Sequence, residues 1–154
     1  MHIQQIEKIQ IASEQLEDAL SAYFAGRFHS ALVLASAAEQ LYAGYVMKHG
    51  EMPAWKRTRS IVTKIANGLR REEGDKPTCE DDIGDLLNRA YNSSKHAGKN
   101  DHTVFMDPQF EANVAIERAI ENHDVLERLG ISGLPDMPLA QRFLEESISD
   151  EERT

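Results

Sequence analysis

Residues 30–50 read SALVLASAAEQLYAGYVMKHG. The pattern runs a helix from Phe28 to Lys48, with Ala31, Leu32, Val33, Leu34, Ala35, Ala37 and Ala38 on most of its sides and His49-Gly50 as its C-terminal cap. A helix apolar nearly all round is buried by its neighbours, and alanines let those neighbours approach closely. The rest of the chain therefore has to supply helices that surround this one. Glu39 interrupts the apolar run, and a buried carboxylate needs a partner. A salt bridge to some cation or an exposed edge of the helix meets that need equally well.

Outward from this segment the helical pattern continues. Ile3–Phe24 carries Ile6, Ile9, Leu16, Leu20 and Phe24 on one face with Glu and Gln opposite, and Gly26 ends it. Beyond a loop holding Pro53, a third helix is expected from Trp55 to Arg71 with Ile61, Val62, Ile65 and Leu69 facing inward. Gly74-Asp75-Lys76-Pro77 is a break, after which Thr78 is a good N-cap and Glu80, Asp81 and Asp82 suit the positive end of the next helix. That helix turns Ile83, Leu86, Leu87 and Ala90 inward and ends near His96-Ala97-Gly98. Lys99–Met106 reads as a polar loop. Asp107-Pro108 opens a further helix, with Pro at its first position, and Gly130 stops it near Leu129. The expected fold is all-α: an up-and-down bundle of four to five helices over residues 1–130. Residues 131–154 form a C-terminal extension with a short amphipathic piece around Leu139–Leu144 and an acidic end.

Composition bounds the function classes. A chain of 154 residues is one domain by size, and its apolar share of 41% suits a helical protein that shares part of its surface with a second copy. A formal net charge of −9 argues against broad nonspecific binding to nucleic acid while leaving room for a local basic site. The single Cys79 cannot form an intrachain disulfide, the first ten residues lack the basic and apolar regions of a signal peptide, and no apolar run approaches the ~18 residues of a membrane span. A cytoplasmic protein without a membrane segment is expected.

The stretch with the most chemistry is Leu87–Gly98, LNRAYNSSKHAG. At about 100° per residue, positions 89 and 96 of a helix lie almost above one another, and position 92 falls between them. Arg89, Asn92 and His96 would then look in one direction. A permanent cation, a polar amide and an imidazole that titrates near neutrality suit a phosphodiester: Arg holds the phosphate, Asn orients, His moves a proton. The same spacing also describes a plain polar helix end.

These residues resemble the HEPN superfamily of four-helix domains, whose hallmark is an Arg, four to six intervening residues and a His, often ending Asn-x-x-Lys-His. Six residues separate Arg89 from His96, and Asn92-Ser93-Ser94-Lys95-His96 matches the second half. The Ala-Ala-Glu-x-Leu core of residues 37–41 is similar to the small-residue helix of such domains, and the likeness spans roughly Gln4–Leu129. Where the commonest form puts Arg directly before the Asn, this chain has Tyr91, so Arg89 matches through the longer spacing.

The resemblance implies a homodimer with the motif helices together, and a metal-independent endoribonuclease of toxin or phage-defence type. His96 would take the proton of a ribose 2′-hydroxyl or give one to the leaving 5′-oxygen, a second His coming from the symmetry mate. Arg89 would stabilise charge on the phosphoryl oxygens and Asn92 would orient the scissile region, leaving a 2′,3′-cyclic phosphate and a 5′-hydroxyl. Lys95, Lys99, Tyr91 and Glu39 are the expected substrate-binding residues, with Tyr91 placed to stack on a base or pack at the dimer seam. Glu39 would approach Arg89 or His96. No cofactor and no metal are expected, since His29, His49, His102 and His123 do not pair at i, i+4 with another His or Cys.

Two further readings stand beside this one. In the first, the domain is a non-catalytic HEPN-like dimer that binds RNA, a nucleotide or a protein partner of antitoxin type, with Arg89, Asn92 and His96 in a network at the seam. In the second, Leu134, Met137, Leu139, Phe143 and Leu144 form an apolar stripe for a partner helix. Between Trp55 and Arg71, six basic residues (Lys56, Arg57, Arg59, Lys64, Arg70, Arg71) occur with no acidic one. They form either a solvated face or a surface for RNA phosphates or an acidic partner.

Overall fold

A computed structural model describes residues 3–96 and 102–151, with side chains up to residue 147. The fold is all-α. Seven helices follow one another among the described residues: α1 (Lys8–Phe24), α2 (Phe28–Lys48), α3 (Ala54–Glu73), α4 (Glu80–Leu87), α5 (Arg89–Lys95), α6 (Pro108–Arg128) and α7 (Pro138–Glu151). The count exceeds the expected four to five for two reasons. The helix expected to run from Thr78 to His96 is interrupted at Asn88, and the C-terminal piece is a full helix.

The core forms around α2, as its composition requires. Ala31, Leu32, Ala35, Ala38, Tyr42 and Val46 of α2 are buried against Leu16, Ala19 and Leu20 of α1 and Ala112, Ala115, Ile116 and Ala119 of α6. The run of alanines brings three backbones close enough to exclude water with little side-chain volume. Gly26 makes the tight reversal between α1 and α2: at φ 71° it lets its own N–H reach Tyr23 O at 2.9 Å while Arg27 N–H reaches Ala22 O at 2.8 Å.

Helix starts follow the sequence signals closely at α6. The Asp107 carboxylate accepts from Gln109 N at 3.0 Å and Phe110 N at 3.1 Å, with Pro108 at the first helical position. Asp107→Ala is expected to cost about 1 kcal/mol, a fall in Tm of about 2–4 °C followed by circular dichroism. At α4 the cap is Cys79, whose Sγ accepts from Asp82 N at 3.4 Å, one residue later than the expected Thr78. Thr78 is engaged elsewhere, its N–H donating to Asn67 Oδ1 at 2.8 Å.

Three burial expectations are corrected. Ile6 lies outside α1 and is 46% exposed. Ile61, Ile65 and Leu69, expected to face inward, are 51%, 59% and 58% exposed, because α3 lies at the margin of the bundle and packs on α4 and the end of α6. Leu86 is likewise exposed, while Ile83 and Ala90 are buried as expected. The tail stripe is the reverse case. Phe143 is 1% exposed and meets the Tyr23 ring edge-on at 5.2 Å, with Leu134, Met137 and Leu139 packed against the same core. Those four side chains pack within the chain, while Leu144, the fifth of the expected stripe, is 38% exposed.

No helix among the described residues is long and apolar enough to cross a membrane.

Candidate functional site

The segment from 87 to 96 is built differently from one continuous helix. Asn88 ends α4 and begins α5: its N–H and its side-chain amide both reach back to Gly84 O, at 3.1 and 3.0 Å. α5 then runs seven residues and stops at Lys95, leaving His96 in extended conformation at φ −129°, ψ 121°. Helical rotation therefore relates Arg89 to Asn92 but does not carry on to His96.

The three motif residues line three clefts. Arg89 opens into one of about 350 Å³ that also holds Glu111, whose carboxyl is pushed above its ordinary value by burial. His96 lines a cleft of about 530 Å³. The two share Ser93, Thr103, Val104 and Met106 in their linings, so the clefts of Arg89 and His96 adjoin. Asn92 lies in a third cleft, of about 380 Å³, together with Glu39 and Tyr91.

His96 has company that spacing could not reveal. His29, near the start of α2, and His102, before α6, line the same cleft, as does Lys95. All three imidazoles are exposed side chains. Among the described residues, only His123, Asp124 and Glu127 bring potential ligand atoms of three such groups within 4.8 Å of one another. They lie on one stretch of α6, where helical geometry alone brings i and i+4 together. His29, His96 and His102 line one cleft without forming such a group.

Glu39 finds its partner on α6. Its Oε2 lies 3.1 Å from Arg118 Nη2 in an ion pair with 5% and 8% side-chain exposure. The expected approach to Arg89 or His96 gives way to this ion pair. Glu39 Oε1 and Arg118 Nε have no hydrogen-bond partner. Burial pushes the Glu39 carboxyl up from 4.5 to about 7, opposed by Arg118 and reinforced by Glu121. A folded-state value above the unfolded one means that the native chain binds this proton more tightly. That contribution to stability is full below about 4.5 and is lost as pH rises towards about 7. Glu39→Gln is therefore expected to gain in Tm relative to wild type as pH rises across this window. Parallel Tm profiles would exclude the assignment.

Tyr91 is half-buried with Lys95 Nζ 4.0 Å above its ring, so two expected substrate-binding residues form a cation–π pair. Lys99 lies outside the described residues. The basic face of α3 is partly neutralised: Arg57 pairs with Glu121, and Arg59 sits between Glu80 and Asp81 with its guanidinium 5.0 Å from the Trp55 ring centroid.

Comparison with family models, with curated proteins and with solved structures found no match to this chain.

Proposed function

We propose that this chain is an HEPN-like, metal-independent endoribonuclease of toxin or defence type, acting in the cytoplasm on RNA through His96 and Arg89. The observation that supports it most is the gathering of His29, His96 and His102 with Lys95 in one cleft, with Arg89 lining the cleft that adjoins it. Cleavage by 2′-hydroxyl attack needs one group to take a proton and another to give one, and two imidazoles do both. His96 takes the 2′-hydroxyl proton, and His29 or His102 protonates the departing 5′-oxygen. The second imidazole then comes from the same chain rather than from a symmetry mate. Arg89 and Lys95 supply positive charge for the phosphoryl oxygens. Asn92, in its separate cleft, is assigned to substrate positioning away from the scissile bond.

The test is incubation of purified protein with several RNAs in EDTA, with the product ends analysed. Fragments carrying 2′,3′-cyclic phosphate and 5′-hydroxyl ends are expected. Intact RNA throughout would reject the nuclease and leave the non-catalytic HEPN-like dimer. That second reading is favoured by a different observation: the exposed Ile61, Ile65 and Leu69 stripe on α3, an apolar face of the kind that a second copy or an antitoxin-type partner covers.

A further inference from the structure

We propose that the cleft between α2, α3 and α5 is a nucleobase site, with Trp55 and Tyr91 as its aromatic walls and Glu39, Gln40, Asn88 and Asn92 as its polar lining. This inference rests on the RNA-directed reading above and names the part of the substrate that the histidine cleft does not hold.

The lining has the composition that a flat heterocycle requires. A base offers a π-face and an edge of donors and acceptors, and proteins take the first with aromatic rings and the second with amides and carboxyls. Both kinds of group meet here from three separate helices. The carboxamides of Gln40 and Asn92 are on exposed residues, so they are open to an incoming edge. Asn88 already gives one N–H to Gly84 O and keeps its carbonyl oxygen as an acceptor. Glu39, 97% buried by its 3% exposure, carries an oxygen with no partner although its other oxygen is tied to Arg118. An unsatisfied buried acceptor is costly unless something completes it, and an N–H on a base edge does so.

Charge is arranged to match. Lys95 Nζ lies 4.0 Å over the Tyr91 ring, and the Arg59 guanidinium and Lys56 Nζ lie 5.0 and 5.8 Å over that of Trp55, positive charge close to both rings for the phosphates that flank a base in RNA. A volume of about 380 Å³ falls in the range of small-ligand pockets, about 300–1,000 Å³. Asn92 and Tyr91 line this cleft while Ser93, Ser94 and Lys95 line the histidine cleft, so α5 separates the two. A strand crossing α5 can place one base beside Trp55 and the neighbouring phosphodiester beside His96.

Trp55 is the only tryptophan in the chain, so tryptophan emission comes from this wall of the cleft. Titration with AMP, GMP, CMP and UMP is expected to change Trp55 emission saturably for at least one of them, with ribose 5-phosphate giving no such change. Tyr91→Ala, by removing one stacking surface worth about 1–3 kcal/mol, is expected to weaken that affinity roughly 5- to 150-fold. Asn92→Ala, at an exposed position that leaves folding intact, is expected to weaken it and to shift preference among the four bases. The site is rejected if no nucleotide gives a saturable change, if ribose 5-phosphate does as well as the nucleotides, or if both variants bind like wild type. Failure here with RNA cleavage intact removes the base site and keeps the nuclease. Saturable nucleotide binding without cleavage keeps the site and removes the nuclease.

Discussion

His96→Ala is expected to lower the rate of RNA cleavage by about 10²–10⁴, the contribution of one well-placed imidazole to general acid–base catalysis. The loss should fall on the rate at saturating RNA rather than on binding, because the proposed mechanism gives His96 a proton to handle and gives Lys95 and Arg89 the charge. Arg89→Ala is expected to cost roughly 10²–10³ through the lost stabilisation of the phosphoryl oxygens. The two partner candidates separate in the same assay. Whichever of His29→Ala and His102→Ala abolishes the acidic or basic limb of the pH–rate profile is the second proton carrier. If His96→Ala cleaves like wild type while all three single-histidine variants stay folded, the histidine cleft is not the reaction centre. Since His96 is exposed and outside any helix, its removal leaves the core untouched, so a lost activity cannot be blamed on unfolding.

The second large effect is on stability. Arg118→Met is expected to destabilise the chain by about 3–5 kcal/mol, a fall in Tm of roughly 6 to 20 °C, because it strands the Glu39 carboxyl in the core. The cost should depend on pH. Near pH 5 the stranded carboxyl is protonated and the penalty shrinks; near pH 8 ionisation is imposed against burial and the penalty grows. Adding Glu39→Gln to Arg118→Met should return much of the loss, since the double variant buries no charge. Additive effects in this cycle, or a change in Tm of a degree or less for Arg118→Met, would show that the pair is not what joins α2 to α6 at this point.

The all-α class was legible because α2 announces itself. An alanine-rich run with no polar face has one stable fate in water, and its bounds, Phe28–Lys48, coincide with the structure. Asp107-Pro108 was equally plain, since a capping carboxylate and a proline at the first position each have a local mechanism. Local rules failed where packing decided. Nothing in NRAYNSSKHAG announces that Asn88 turns back on Gly84 and restarts the helix, or that the helix ends one residue short of His96. The pattern on α3 promised a buried face at Ile61, Ile65 and Leu69, yet periodicity states only which side is apolar, not whether a neighbour lies there. The candidate sites are the least legible part. His29 and His96 share a cleft from opposite halves of the chain, as do Glu39 and Tyr91, and no spacing encodes such meetings. A carboxylate on the apolar α2 needs a partner, but only the packing of α6 against α2 makes Arg118 that partner.

Asn122 has a consequence beyond its own hydrogen bonds. Its side chain is fully buried, with Oδ1 accepting from Ala54 N at 2.8 Å and Nδ2 reaching Glu39 O at 3.5 Å. One amide on α6 thus fixes the backbone on both sides of the aromatic cleft: the residue next to Trp55, and Glu39 itself. Walls held this way are already in place when a ring arrives, so association does not have to spend affinity on ordering them. For the base site proposed above, the placing of the walls is written in the bundle's interior rather than in the residues that would touch the base.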